Sequence, residues 1–503
     1  VAPETEAEDM AEPGKPDDDM AYENPAPGAG AAGITPPVIK APGVKTPPGP
    51  MLAAGFGSSP APDPDFDAVG FDDGSGQAQE VQNVDDDDTP PSGIYVGGEE
   101  VQVIDAGALG RALAAASGLQ TDHAGPNFTV LRTGLVGLDL GASVAVVAHF
   151  NQDGKHEVVP NAENELVTPA QVFFDEDGER LVGKEAIRLA PSAPDRAFSD
   201  VKTLLGDSKF NAKIGGSSVN AEDVLAVVAR RLLDDVEQRT GSRPTHAALA
   251  APAWFLEPQR QALKRAVEKA GIEVVGVADE PLAATVPYSL QLRDLNPRRA
   301  VVFDLGHSGL GCAVVQCARG DIEILAADAR RDLGATRFDD VIAGEGARHF
   351  KEQHGFDVRD DKGANFDLRI RAEECKKALS ARPAFTMVVS ARGKTSKIAF
   401  ARAAFEEATR PIVEEARAFL VKIRDRAGVS DWKSIDAVIL TGGGTRIPMV
   451  RRMVVQETGR EPMKGINPDE GVAIGALYWG LFARSKAVQE AKGLKTKDIK
   501  KRS

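Results

Sequence analysis

From Leu135 onward, short apolar runs rich in β-branched residues alternate with longer stretches whose apolar positions recur every three or four residues. A short run of period two signals a strand, and a period near 3.6 over ten or more residues signals an amphipathic helix. The pattern predicts strands over 134–139, 144–149, 168–174, 246–251, 299–304, 311–316, 321–327, 384–390 and 435–440. It predicts helices over 221–239, 257–270, 335–354, 367–380, 401–427, 446–457 and 468–483. Such alternation implies an α/β fold in which helices cover sheets.

One pattern occurs twice. Residues 135–149 read LVGLDLGASVAVVAH, and residues 301–315 read VVFDLGHSGLGCAVV. Each is an apolar strand ending in Asp-Leu-Gly, then a turn rich in small residues, then a second apolar strand. The duplication predicts two related lobes.

The first hundred residues have another texture. Residues 1–105 hold 16 of the chain's 32 prolines, and residues 1–100 carry 21 Asp and Glu against 3 Lys and Arg. Too few large apolar side chains are present to offset the entropy of ordering. A disordered acidic extension is expected over 1–130, either a solubilising segment or a docking tail, with one short helix over 101–120. The whole chain has a net charge of −15, so its acidity belongs to this extension. The remainder is close to neutral, and nucleic acid is not an expected partner. No apolar run reaches the ~18 residues that span a membrane, and no leader pattern follows Val1. Cys312, Cys317 and Cys375 show no C-x-x-C spacing, so neither a disulfide framework nor a zinc site is expected, and a reducing cytoplasm is.

The turns carry the candidate chemistry. A phosphate-binding turn needs backbone N–H groups aimed at oxygens with no side chain in the way, which glycine supplies. An Asp at the end of the preceding strand can hold the water shell of Mg²⁺. Asp139-Leu140-Gly141 and Asp304-Leu305-Gly306 meet both conditions, although the same tripeptide also serves as an ordinary strand exit. Thr441-Gly442-Gly443-Gly444 follows a strand and opens a helix, where an anion is favoured; a packing turn would look the same. Glu373, Lys376, Lys377 and Ser380 share one helix face, fit either to bind a ribose and a base or to face solvent. There is no G-x-x-x-x-G-K-[ST], and Gly306–Gly311 precedes a strand, so neither a P-loop nor a dinucleotide fold is expected.

Taken in order, these pieces resemble the ATPase domain of the DnaK-type, or heat-shock-protein-70, chaperones. The stretches are GLDLGASVAVV, EVVPNAENELVTPAQVFF, ERLVGKEA, APAWFLEPQRQALKRAVEKAGIEVVGVADEPLAATVPYSL, VVFDLG, GGGTRIPMV and INPDEGVAIGA. The resemblance covers about 134–483. It implies the actin-like two-lobed nucleotide-binding fold with duplicated ribonuclease-H-like lobes, one over 131–300 and one over 301–485, followed by a basic tail over 486–503. It implies ATP or ADP with Mg²⁺ as cofactors, and clients or co-chaperones as partners. Asp139 and Asp304 would hold the metal's waters. Gly141, Ala142 and Ser143 would cradle the phosphates from one lobe, and Gly306 and His307 from the other. Lys202 would stabilise the transferred phosphoryl group, and Glu280 would orient the attacking water or its metal. Gly334, Glu373, Lys376, Lys377 and Ser380 would hold the adenosine. Gly442, Gly443, Gly444 and Arg446 would meet phosphate and adenine, Asp469 the ribose. Pro252 and Arg260 match residues that relay the nucleotide state.

Three departures stand out. The family's second turn, Asp-Leu-Gly-Gly-Gly-Thr-Phe-Asp, reads Asp304-Leu305-Gly306-His307-Ser308-Gly309-Leu310-Gly311 here, and a threonine of the first turn is Ala142. A hydroxyl and a carboxylate near the phosphates are thereby lost, which favours binding over brisk hydrolysis. The stretch from Lys202 to Pro252 is shorter than the family's, predicting a reduced upper subdomain. After KGLKTKDIKKRS the sequence ends without the apolar linker and β-rich client domain that follow in the chaperones. The alternatives are a catalytically inactive scaffold, a sugar or acid kinase of the same fold (for which no kinase motif is found) and a filament-forming actin relative.

Overall fold

The computed structural model describes residues 131–207, 209–289, 298–318 and 321–491, together with Tyr95–Val96 and Glu99–Glu100, which pair as a short antiparallel ribbon. The rest of the expected disordered extension, and the helix expected over 101–120, lie outside the described residues.

The two repeated stretches form two hairpins of the same design. In the first lobe β1 (Leu135–Leu140) turns into the antiparallel β2 (Val144–Phe150), with β3 (His156–Val158) on its far side. Parallel to β1 lies β4 (His246–Ala251), and beyond it β5 (Glu273–Asp279). In the second lobe β6 (Arg298–Leu305) turns into β7 (Leu310–Ala318) and then β8 (Asp321–Arg330), all antiparallel. A two-stranded antiparallel sheet, β9 (Ala384–Ala391) and β10 (Lys394–Ala401), stands apart, and β11 (Ala437–Thr441) runs parallel to β6. The orders β4-β1-β2-β3 and β11-β6-β7-β8 match in sequence and direction, so the duplication is topological as well as textual. Strands with helices on both faces read as unbroken apolar runs, and VVFDL and AVILT do so because both faces are buried.

The helices follow local signals. α1 (Lys184–Leu189) is short. α2 (Ala221–Thr240) starts at a capping box in which Asn220 and Asp223 exchange hydrogen bonds, and it stops at Gly241 in the left-handed region. α3 (Glu257–Glu268) begins with a proline in its first turn. α4 (Glu280–Ser289), α5 (Thr336–His354), α6 (Lys362–Ala381), α7 (Arg402–Arg426), α8 (Pro448–Thr458) and α9 (Gly471–Ala491) complete the set.

Each lobe has its own core. One gathers Phe303, Phe338, Phe350 and Leu420, the other Leu138, Leu225, Leu232 and Leu263. Each fully buried side chain of this size contributes roughly 1.5–3 kcal/mol. A third core joins the inner faces of both sheets to α4 and α9. A side chain at Gly475 would collide with the Ala283 carbonyl, so these two helices touch backbone to backbone. α9 crosses over to pack on β1, β4 and β5, so the boundary drawn at residue 301 separates the sheets but not the helices.

Several boundaries differ from expectation. The strand expected over 168–174 is two: Thr168–Pro169 pairs with β2, and Val172–Phe174 joins a separate sheet with Arg180–Val182 and Ala197–Phe198. Pro169 has no N–H to extend the ladder. The helix expected from 468 begins at Gly471, because Asn467–Glu470 form the turn that precedes it. The helix expected from 446 begins at Pro448, after a 3₁₀ turn over Gly443–Arg446. β5, β10 and α4 escape the periodicity reading; α4 is small-residue-rich with an internal Pro287. Among the described residues no helix is long and apolar enough to cross a membrane.

Candidate nucleotide cleft

The hairpin turns after β1 and β6, the glycine turn after β11 and one face of α6 converge on a single cleft of about 430 Å³. Asp139, Gly141, Ala142, Ser143, Lys202, Glu280, Asp304, Gly306 and His307 line its inner end. Glu373, Lys376, Lys377, Ser380, Gly442, Gly443, Gly444, Arg446 and Asp469 line the remainder. Pro252 and Trp254 also face it. Gly334 does not: it stands behind the second turn, where a side chain would strike the His307 carbonyl and the Gly309 nitrogen. Its contribution is to let α5 approach that turn.

The inner end is built from charge. Asp139 and Asp304 close their strands at matching positions, opposite Val146 and Gly311. Lys202, buried on a short 3₁₀ turn, donates to Glu280 at 2.7 Å and stands 3.9 Å from Asp139. Burial works against its charge, but Glu280 and Asp139 outweigh it and raise the ammonium pKa. Burial pushes the Asp139 carboxyl up to about 7, Lys202 offsetting part of this and Glu280 and Asp469 adding to it. Asp304 is driven in the same direction by burial, Glu280 and Asp139. Two buried acids held this far from their ordinary range are a site that a cation would complete. Among the described residues no group of three or more His, Cys, Asp or Glu could ligate a metal ion directly; Asp139 and Asp304 are the acids that could hold the water shell of an ion.

The glycine turn is shaped for a ligand. Gly442 has φ 80°, and a Cβ there would meet Asp304 Oδ1 and the Leu305 carbonyl at 2.5 Å. Gly443 faces open space apart from Asp469 at 3.5 Å. Thr441 donates to the Pro468 carbonyl at 3.0 Å, tying this turn to the loop that carries Asp469. Arg446 is held by Asp469, with Nε at 3.1 Å and one terminal nitrogen at 2.5 Å, and it also pairs with Asn467. Its guanidinium plane is thus fixed while half its side chain stays exposed.

The α6 face is more committed than its spacing implied. Glu373 and Lys377 pair with each other at 2.9 Å. Lys376 is buried against Asp339 at 2.7 Å, and burial lifts the Asp339 carboxyl to about 6 despite that partner. Ser380 donates to the Lys376 carbonyl. Arg260 pairs with Asp279, the residue before Glu280, and donates to the Phe255 carbonyl, linking α3 to the acid of the cleft.

The sequence reading missed one lining residue, Trp254, and two that support lining residues from behind, Asp339 and Asp200. Asp339 holds Lys376, and Trp254 lies under the Arg331 guanidinium at 4.4 Å. Asp200, two residues before Lys202, faces His307. Only Trp254 had a signal, its place two residues after Pro252.

Two related lobes, a shared helical layer and turns converging from both sides define an actin-like ATPase fold. The family of Hsp70 protein matches residues 135–215 and 206–501. The DnaK chaperones of Thermotoga petrophila and Thermotoga maritima are each 34% identical over 372 residues, covering 73% of this chain and 61% of the relative. That of Thermosipho africanus is 33% identical over 373 residues, covering 73% and 62%. The chain belongs to the Hsp70 family, and it spans less than two thirds of the length of these relatives.

Proposed function

We propose that residues 131–485 form an ATP- and ADP-binding switch of the chaperone type, turning over slowly and read by a separate protein. The observation that carries this is Lys202, set between Glu280 and Asp139 where both Asp-Leu-Gly hairpins meet.

Asp139 and Asp304 would hold hydrated Mg²⁺, whose chemistry is to neutralise phosphate charge. Backbone N–H groups of the 141–143, 307–309 and 443–444 turns would bind the phosphates, those of Gly306 and Gly442 already donating to the Gly309 and Pro468 carbonyls. Lys202 would stabilise charge developing on the transferred phosphoryl group, while Glu280 would fix the ammonium and orient water. Arg446, held flat by Asp469, would stack on the base, with Glu373 and Ser380 toward the ribose. α4 and α9 belong to the core between the sheets, so lobe closure would move the surface around them, and a client-handling partner would read that shift. Three buried free thiols accord with a cytoplasmic location.

Gly309, Gly311 and Ala142 line the phosphate end with no polar side chain. They favour a second reading, a protein that binds nucleotide without turnover. Calorimetry with Mg·ADP and single-turnover ATP hydrolysis, each with Lys202→Ala alongside, separate the two. Binding with a rate above that of Lys202→Ala supports the switch. Binding with equal background rates supports the inactive form, and no binding removes both.

A further inference from the structure

We propose that Asp200 and His307 form a clasp across the phosphate end of the cleft that retains bound nucleotide, with Asp200 as the positioning residue of the imidazole. This rests on the nucleotide reading above and names a retention device within the same site.

His307 sits on the second-lobe turn between Gly306 and Ser308, and its Nε2 lies 3.1 Å from Asp200 Oδ1 and 3.3 Å from Oδ2. Asp200 belongs to the first lobe and precedes the turn that carries Lys202. The pair therefore bridges the lobes beside the residue that carries the chemistry. Both ends are anchored by backbone. The His307 carbonyl accepts from the Thr336 N–H at 3.0 Å, so the turn is pinned to the start of α5. The Asp200 carbonyl accepts from both the N–H and the hydroxyl of Thr203, leaving the carboxylate free to face across.

Asp200 adopts φ 55°, ψ 18°, the left-handed region, which a residue other than glycine enters at a cost. Only Asn164 and Arg392 share a positive φ among the described non-glycine residues. Strain held in place by its surroundings tends to mark function, and here it aims a carboxylate at His307, which lines the cleft. Four charged groups face His307: Asp200, Glu373, Lys376 and, behind Lys376, Asp339. Burial opposes the imidazolium, but the Asp200 hydrogen bond and charge, with Glu373, outweigh it and raise the His307 pKa. The bridge is thus a hydrogen-bonded contact partly withdrawn from water, with the His307 side chain 19% and the Asp200 side chain 40% exposed. The lobes also meet further out, where Lys362 pairs with Asp195 at 2.9 Å and Gly363 lies against the Pro191 carbonyl. That outer pair is mostly exposed and offers little resistance to opening. The inner pair is the one that must break before a phosphate can leave.

The test is a double-mutant cycle on the full chain, read by stopped-flow release of fluorescent N-methylanthraniloyl-ADP with Mg²⁺. Asp200→Asn removes the charge while keeping a residue that tolerates the left-handed backbone, and His307→Ala removes the ring. Either single change is expected to speed release roughly tenfold, and the double variant no further, because both remove one interaction. Melting curves check folding, and His307→Gln replaces His307→Ala if that variant unfolds. Effects that multiply in the double variant, or single variants within twofold of wild type, overturn the clasp and leave nucleotide binding standing. A wild-type chain that binds no labelled ADP at all overturns the nucleotide reading, and the clasp with it.

Discussion

The Lys202 ammonium lies 2.7 Å from Glu280 Oε1, joining the 3₁₀ turn of the first lobe to the start of the helix packed between the sheets. Its closeness to Asp139 sets a cation at a cluster of acids drawn from both lobes. Lys202→Ala should therefore lower the single-turnover rate by about 10²–10³-fold while weakening Mg·ADP affinity far less. Rapid-quench hydrolysis and calorimetry on the same preparation check this, and equal losses in both would assign Lys202 to binding alone.

The largely buried acids make the cleft sensitive to pH. Asp139 goes from an ordinary 3.8 to about 7 on folding, mainly by burial, and Asp304 shifts the same way. The folded state then binds more protons than the unfolded chain between about pH 4 and pH 7, so stability falls as pH rises through that window. Melting temperature without nucleotide should drop between pH 5 and pH 8. Asp304→Asn should raise it by a few degrees at pH 8 while weakening Mg·ADP binding, a trade of function for stability. A flat profile would contradict burial of these carboxyls.

Neighbouring lysines on α6 should behave oppositely. Lys376 is buried against Asp339, whereas Lys377 is mostly exposed. Lys376→Ala strands a buried carboxylate and should cost about 3–5 kcal/mol. Lys377→Ala should stay within about 0.5 kcal/mol. Urea unfolding of the two variants measures both.

The glycine turn separates packing from ligand space. Gly442→Ala should destabilise by about 1–3 kcal/mol, since the backbone is left-handed and Asp304 and Leu305 occupy the space. Gly443→Ala should fold normally, having only Asp469 near it, yet weaken Mg·ADP by about tenfold or more by intruding where phosphate would lie. Thermal melts and calorimetry distinguish the pair.

The chain's own pattern determined the α/β class, the duplicated hairpin and most long helices, because period and capping are local properties. The short apolar runs of β1, β6 and β11 announced buried strands, whereas the cap that Asn220 and Asp223 form at the start of α2 was not read from the sequence. Seventeen of the residues proposed from turns, helix face and family likeness lie beside Lys202 and Glu280 or further along the same cleft wall; Gly334 instead backs the second turn, and Arg260 stands outside the lining, paired with Asp279. What only tertiary structure decided are relationships between distant residues: Lys376 with Asp339, Arg260 with Asp279, His307 with Asp200. Nothing in spacing reports these, because each partner sits on a separate element and the distance depends on how two lobes close. The passage of α9 back to the first sheet was hidden for the same reason: a largely apolar helix names no neighbour, and its seat on that sheet depends on Gly137 of β1 lying against Ala473 and Leu477 and on Gly480 lying against Ala248 and Leu135.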